Sequence, residues 1–262
     1  MEAVADAVID ALEALRRTGP LVQCQTNNVV TGFTANVLLA AGCSPAMVDD
    51  VEDAEVFATV ADGLLVNLGT LAHERSDAMR AAVGARGDRG WVLDPVAAGP
   101  LPARTALARE LLARRPTVLR GNASEILGVA GETSAGRGVD AGDGPEAALG
   151  TARALTEQYG CVVAVSGPVD VITDGRTVVR VDGGHPTMTR VTGVGCALGA
   201  LVAATLAVAP PLVAATAATA LLCAAGSAAA GDSVGPGTFA VRLLDELATL
   251  TPAQVVETVS LS

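Results

Sequence analysis

The sequence is poor in aromatic residues and in side chains that bind transition metals. Of its 262 residues, 2% are aromatic and two are histidines. No HExxH motif and no CxxC pair occurs, so a zinc site is not expected. The odd number of separated cysteines is typical of reduced thiols and predicts a cytoplasmic protein. These cysteines are Cys24, Cys43, Cys161, Cys196 and Cys223.

Basic residues are also scarce: 17 Lys and Arg stand against 28 Asp and Glu, for a net charge of −11. This balance argues against a nucleic-acid partner, which requires a basic surface. Acidic residues near the start, at Glu2, Asp6 and Asp10, argue against a signal peptide. Residues 212–230 approach the length of a membrane span, but they are rich in Ala and Thr and have no basic flanks, so we expect a buried helix and no membrane partner.

Hydrophobic residues make up 50% of the chain, and most are small or aliphatic. Short apolar runs at residues 64–68, 91–94, 117–120 and 161–166 predict buried strands, with helices between them at residues 103–113 and 145–159. This alternation predicts one α/β domain over residues 1–262, with a mostly parallel sheet covered by helices on both faces. A hairpin is expected from residues 169–173 and 177–181, and a solvent-facing loop at residues 131–144.

The most informative segment is residues 191–207, VTGVGCALGALVAATLA. Gly193 and Gly195 form a turn that leads into an apolar helix, and Cys196 stands where that helix begins. Glycine amides and the positive end of a helix can hold a phosphate. The same field is expected to lower the pKa of a thiol. A tight loop that leads to a core helix with an inert cysteine is the alternative interpretation.

Polar residues end four of the apolar runs: Asn67, Asp94, Arg120 and Ser166. Ligands of open α/β sheets bind beyond the carboxyl ends of the strands, so these side chains are candidates for one common site. Turn formation, capping and surface charge are the simpler explanations for each residue alone.

The sequence RGNASEI, residues 120–126, directly follows one of these strands. Asn122 can cap the next helix, with Glu125 completing a capping box. The functional interpretation places Arg120 on nucleotide phosphates and Glu125, with Asp94, near Mg²⁺. No Walker A motif is present, which excludes a P-loop enzyme.

Several stretches together resemble the hydroxyethylthiazole kinase family of the ribokinase-like superfamily. They are QTNNVVTGFTANVLLAAGCSPAM, VNLGTL, LDPVAAGP, TVLRGNASEILGVAG, VAVSGPVDVITDG and GGHPTMTRVTGVGCALGAL, in the order of the family. The resemblance covers most of the chain and implies a three-layer α/β/α fold. It also implies phosphorylation of the hydroxyethyl group of 4-methyl-5-(2-hydroxyethyl)thiazole by ATP and Mg²⁺, in a homotrimer with active sites between subunits.

The resemblance also implies roles for individual residues in substrate binding and proton transfer. Met47 and Gly193 correspond to thiazole-binding positions, and Asn27 to a residue that shapes the thiazole pocket. Cys196 stands where related sugar kinases carry an aspartate base, and is expected to accept the proton of the substrate hydroxyl.

The nucleotide and metal groups are implied in the same way. Arg120 and Ser166 correspond to ATP-binding residues, with Gly195 and Asn122 beside the phosphates. Asp94 and Glu125 are expected to serve Mg²⁺ and the triphosphate.

The chain departs from the family pattern at several positions. Val194 replaces the Thr of GTGC, DPVAAGP replaces DPVGAGA through Ala97 and Pro100, and Gln25 stands where an aliphatic residue is usual. Other interpretations stay open. They are a nicotinamide-nucleotide hydrate dehydratase that consumes ATP or ADP, another small-alcohol kinase of the superfamily, and a nucleotide-sensing or structural trimer without activity.

Overall fold

The computed structural model describes residues 2–132, 144–231 and 233–262. Most of the loop predicted at residues 131–144 lies outside these ranges. The helices in the described part of the chain are α1 (Glu2–Thr18), α2 (Thr31–Ala40), α3 (Val51–Val60), α4 (His73–Ala85), α5 (Pro102–Leu112), α6 (Ala123–Ala130), α7 (Leu149–Tyr159), α8 (Val194–Leu206), α9 (Pro211–Gly231), α10 (Pro236–Thr249) and α11 (Pro252–Thr258). Short 3₁₀ helices lie at Pro145–Ala148 and Pro186–Arg190.

One sheet runs through the described residues. Its strands are β1 (Leu21–Gln25), β2 (Ser44–Ala46), β3 (Gly63–Asn67), β4 (Val92–Asp94), β5 (Val118–Asn122), β6 (Val162–Ser166), β7 (Val169–Thr173), β8 (Val178–Asp182) and β9 (Ser260–Leu261). Their order is β2-β1-β3-β4-β5-β6-β7-β8-β9. The six strands from β2 to β6 in this order are parallel, and β7, β8 and β9 pair antiparallel. The predicted parallel sheet and hairpin are confirmed.

Helices cover both faces of the sheet, because alternate strand residues are apolar on each side. Leu65 and Val92 pack into the layer that contains α1, α2, α8 and α9. Leu64 and Leu93 pack into the opposite layer, formed by α3 to α7. The three-layer arrangement places the N-terminus of α8 over the carboxyl ends of the central strands.

The long apolar segment predicted at residues 212–230 is helix α9. Within the described ranges, α9 is the one helix long and apolar enough to cross a membrane, and 78% of its most apolar window is buried inside the protein. It packs against α1, α8, α10 and α11. Its composition is therefore explained by burial in a crowded helical layer, where small residues allow close approach.

The boundary of β5 differs from the predicted run of residues 117–120. The strand continues to Asn122, because Gly121 and Asn122 pair with Val165 and Ser166 of β6. Arg120 therefore lies inside a buried strand and not at its end. Asn67, Asp94 and Ser166 are the last residues of their strands, as the sequence predicts.

Candidate active site

The site begins at the N-terminus of α8. Gly193 is the N-cap and has φ 99°, in the left-handed region that favours glycine. A Cβ at this position would lie 2.8 Å from Cγ1 of Val30. Glycine is therefore required for two reasons: the left-handed turn, and the close packing against Val30, the residue that precedes α2. The first-turn amides of α8 lack partners within the helix, so they are free to receive an anion.

Arg120 lies directly against this helix start. A Cβ at Gly195 would be 3.5 Å from both terminal nitrogens of the Arg120 guanidinium. Gly195 is exposed, whereas Arg120 is 8% exposed. The structure thus brings together two residues that the sequence separates, and it excludes the interpretation of Arg120 as a surface charge.

Two strand-end residues hold the guanidinium. Nη1 of Arg120 donates to Oδ2 of Asp94 at 3.4 Å, and Nη2 donates to Oγ of Ser166 at 2.8 Å. Burial opposes the charge on Arg120, but Asp94 and Glu125 hold the pKa of its guanidinium above the usual range. Burial raises the pKa of Asp94 to about 7, and Arg120 counteracts part of this shift.

Asp170 of β7 is a further buried carboxylate that the sequence analysis missed. Its Oδ1 accepts a hydrogen bond from the amide of Gly167 at 3.0 Å. This bond fixes the turn that follows Ser166. Burial raises the pKa of Asp170. The sequence did carry a signal for this residue: Asp170 is the one charged residue in the apolar strand sequence VDVIT. A charge within a buried strand requires specific partners, so it indicates a structural or functional role.

Cys196 occupies the third position of α8, as expected, and is partly exposed. Nδ2 of Asn27 donates to its Sγ at 3.4 Å. The expected lowering of the thiol pKa is wrong for this structure. Burial, and then the charge of Asp94, raise the pKa of Cys196 to about 11. Burial and the neighbouring carboxylate both disfavour the thiolate, and Cys196 is a neutral thiol at neutral pH.

Asn67 connects the thiol side of the site to the guanidinium side. It is fully buried, and its Nδ2 donates to Oδ2 of Asp94 at 2.7 Å. Its Oδ1 accepts from Nδ2 of Asn27 at 3.3 Å. Asn67 was placed at this edge from the sequence, but nothing in the sequence showed that it joins Asp94 to Asn27.

Glu125 and Asn122 form the predicted capping box at the start of α6. Oδ1 of Asn122 accepts from the amide of Glu125, and Oε2 of Glu125 accepts from the amide of Asn122, both at 2.9 Å. Oε1 of Glu125 also accepts from the amide of Ala97 at 2.9 Å. Ala97 has φ 60°, where the family pattern has glycine. This departure places a Cβ in a conformation that costs about 1 kcal/mol or more for a residue other than glycine.

Two carboxylates, Asp94 and Glu125, are the expected donors for Mg²⁺. No group of three or more His, Cys, Asp or Glu that could hold a metal occurs among the residues described. Oδ1 of Asp94 is buried and lacks a hydrogen-bond partner. Mg²⁺ is commonly bound by one or two carboxylates with water and substrate phosphates, so Asp94 and Glu125 fit this ion.

Met47 lies just after the edge strand β2, which is separated from β3 by β1 in the sheet. The backbone that follows it is fixed by two buried amides: Gln23 and Gln25 both donate through Nε2 to the carbonyl of Val48, at 3.2 and 3.1 Å. This contact explains the polar residue at Gln25, where an aliphatic residue is usual. Met47 itself is partly buried against the core.

The order of the sheet and the helices on both of its faces place the chain in the ribokinase-like fold class. A ribokinase-like superfamily protein from Enterococcus faecalis shares the fold, with a TM-score of 0.63 at 14% identity, covering 87% of this chain and 86% of that one.

A family profile narrows the assignment: the Hydroxyethylthiazole kinase family matches residues 12–253. The chain is 54% identical to a hydroxyethylthiazole kinase of Clavibacter sepedonicus, over 97% of this chain and 93% of that protein. The hydroxyethylthiazole kinase structure from Pyrococcus horikoshii has a TM-score of 0.90 at 35% identity, covering 97% of this chain and 98% of that one. The chain belongs to the hydroxyethylthiazole kinase family.

Proposed function

We propose that this chain transfers the γ-phosphoryl group of ATP to the hydroxyl of 4-methyl-5-(2-hydroxyethyl)thiazole, a step of the thiamine pathway. The observation that carries the proposal is the position of two groups at one helix start. The Arg120 guanidinium lies beside Gly195, and the thiol follows at Cys196. A cation that can bind phosphate and a thiol that can contact the substrate hydroxyl therefore lie together at the N-terminus of α8.

Phosphoryl transfer depends mainly on positioning and on stabilisation of charge. Arg120, with Ser166, binds the phosphates of ATP, and the amides of residues 193–196 receive the charge on the transferring group. Asn122 and Gly195 line the same phosphate region. Mg²⁺ neutralises phosphate charge when it is bound, and Asp94 and Glu125 are the residues that would hold it.

Cys196 orients the substrate hydroxyl and takes up its proton late in the reaction, as its own S–H proton passes to solvent. A thiol with a pKa of about 11 is protonated in the free protein, so it does not act as a preformed thiolate. In a largely dissociative transfer, the hydroxyl proton leaves late, and a strong base is not required. Asn27, which contacts the sulfur, and Gly193 lie on the side expected to receive the thiazole, and Met47 completes the pocket from the sheet edge.

Purified protein supplied with ATP and Mg²⁺ is expected to form ADP and the thiazole phosphate only when the thiazole alcohol is present. Chelation of Mg²⁺ should stop turnover, because phosphate charge then lacks a counter-ion. The rate of ADP release and the mass of the phosphorylated product measure the dependence of turnover on the thiazole alcohol and on Mg²⁺. A control with the alcohol of the pyrimidine half of thiamine tests for another small-alcohol kinase, and a control with a hydrated nicotinamide nucleotide tests for the dehydratase. Turnover of either without turnover of the thiazole would contradict the proposal.

We infer that the chain forms one domain and works as a cytoplasmic homotrimer whose sites are completed by a neighbouring subunit. Met47 lies at the edge of the sheet, where β2 has one strand partner in the described residues. Val29, just before α2, and Val56, in α3, belong to the segments on either side of β2 in the sequence. Their side chains are 77% and 68% exposed. Exposed apolar side chains of this kind favour a protein partner. The five free cysteines agree with a reducing compartment.

The trimer is tested by sedimentation. The expected mass is three times that of the 26.0 kDa chain. Activity per chain should fall on dilution together with the trimer, because the proposed site is completed by a neighbouring subunit. Full activity of a monomeric species would contradict the shared site.

A further inference from the structure

The orientation of the buried Asn67 amide is fixed from two sides. The amide of Gly69 must donate, so it identifies Oδ1 of Asn67 as its acceptor, at 3.0 Å. Oδ2 of Asp94 also accepts from Nη1 of Arg120, so this oxygen is an acceptor and identifies Nδ2 of Asn67 as its donor, at 2.7 Å. With both ends assigned, Asn67 cannot rotate by half a turn without losing two buried hydrogen bonds.

This orientation also determines that of Asn27. Oδ1 of Asn67 accepts from Nδ2 of Asn27 at 3.3 Å, so Asn27 has to turn its donor toward Asn67. The same Nδ2 lies 3.4 Å from Sγ of Cys196. Asn27 therefore presents an N–H group to the sulfur, and the sulfur is the acceptor.

Gly69 holds Asn27 in place by its lack of a side chain. A Cβ at Gly69 would lie 2.3 Å from Nδ2 and 2.5 Å from Cβ of Asn27. Asn27 thus packs directly on the backbone that follows β3. Any side chain at Gly69 would displace Asn27 from the thiol.

We propose that Asn67 and Gly69 are positioning residues for the reaction, which fix the Asn27 amide as a hydrogen-bond donor to the Cys196 sulfur. When the thiol releases its own proton to solvent and takes up that of the alcohol, negative charge develops on the sulfur, and a fixed N–H donor stabilises it. The catalytic part of the proposal rests on the proposed function of Cys196. The orientation of the donor is a property of the free protein.

The first test combines Gly69→Ala with Cys196→Ala. Gly69→Ala is expected to lower kcat by about tenfold, the value of one hydrogen bond to a developing charge, with KM for ATP unchanged. The same substitution should have no further effect on kcat in the Cys196→Ala protein, because the sulfur is absent. An equal loss in both backgrounds, or a rise in KM for ATP alone, would overturn the proposal.

Gly84→Ala is the matched control, because a Cβ at Gly84 meets no atom within 4 Å. It is expected to keep wild-type kinetics. Asn27→Asp provides a second variant of equal size if Gly69→Ala does not fold. It replaces the donor by an acceptor and should lose kcat in the same sulfur-dependent way. Asn28→Asp, at the exposed neighbouring position, controls for the added charge.

The second test does not use the kinase reaction. Cys196 is the one cysteine that is not buried, so iodoacetamide reports on it, with mass mapping of the labelled peptide. At fixed pH, Asn67→Ala and Asn27→Asp should label about tenfold more slowly than the wild type, because the thiolate loses its donor. Unchanged or faster labelling would overturn the proposal. If the wild type fails to phosphorylate the thiazole, the proposed function fails, and this labelling still decides the positioning of the thiol.

Discussion

Replacement of Cys196 by alanine is expected to lower kcat by about 10²–10⁴-fold, the usual contribution of a positioned proton acceptor. Binding of ATP should change little, because the phosphate contacts that we propose at α8 are made by backbone amides. Steady-state kinetics with ATP and the thiazole alcohol, together with the melting temperature, measure the two effects. The raised pKa of the thiol also means that the rate should show no thiol ionisation near neutral pH.

Cys196→Asp is the informative partner of this variant. Aspartate restores an acceptor, receives the N–H of Asn27, and benefits from the positive end of α8. We expect it to retain or raise activity. A structural thiol would give the opposite pattern: a nearly silent Cys196→Ala, and a Cys196→Asp protein that unfolds at lower temperature because a charge is buried.

Cys161→Ala is a suitable control for the loss of a thiol. Cys161 is 1% exposed. It directly precedes β6, at the opposite end of this strand from Ser166. The variant should lose some stability through a small cavity. Its kcat should remain that of the wild type, and a loss of kcat comparable to that of Cys196→Ala would show that the assay is reporting general damage.

Arg120→Ala is the second variant with a large expected effect. It removes the charge-assisted contact that we propose with the nucleotide, and we expect this to cost about 1.5–3 kcal/mol, or a loss of roughly 10–150-fold in ATP or transition-state binding. It also removes the partner of Asp94. Because the pKa of Asp94 is already about 7, this carboxyl can take up a proton, and we expect the fold to survive. Kinetics for ATP and a melting curve give both results.

Two controls limit the interpretation of Arg120→Ala. Arg120→Lys keeps the charge but cannot donate to Asp94 and Ser166 as a planar fork, so it should recover only part of the affinity. Arg180→Ala removes an exposed ion pair with Glu146, and pairs of this kind contribute little to stability. It should leave ATP kinetics intact. Wild-type ATP kinetics in a folded Arg120→Ala protein would contradict the proposal that Arg120 binds the phosphates of ATP.

The strands that bear the site could be predicted because their apolar runs are short and end in polar residues. Asn67, Asp94 and Ser166 fall at strand ends as expected. The first two strands were harder to recognise. In β1, LVQCQ, Gln23 and Gln25 are both fully buried and break the apolar pattern. Their role becomes visible only when both amides reach the carbonyl of Val48.

The electrostatics of the site could not be predicted from local sequence. The helix start at Cys196 favours a low thiol pKa, but this field competes with burial and with Asp94, which is distant in the chain. The direction of the pKa shift depends on tertiary packing, and in this structure the thiol pKa is raised and not lowered. Likewise, the link from Asn27 through Asn67 to Asp94 joins three separate segments, and no spacing rule indicates it.

The central claim is that the alcohol reacts at the N-terminus of α8, between Arg120 and Cys196. The most direct measurement is a crystal structure of the protein with the thiazole alcohol and an unreactive ATP analogue. The account predicts the substrate hydroxyl within about 3.5 Å of Sγ of Cys196, with the terminal phosphate between Arg120 and the amides of residues 193–196. A thiazole bound away from this helix start, or a terminal phosphate without contact to Arg120, would contradict it.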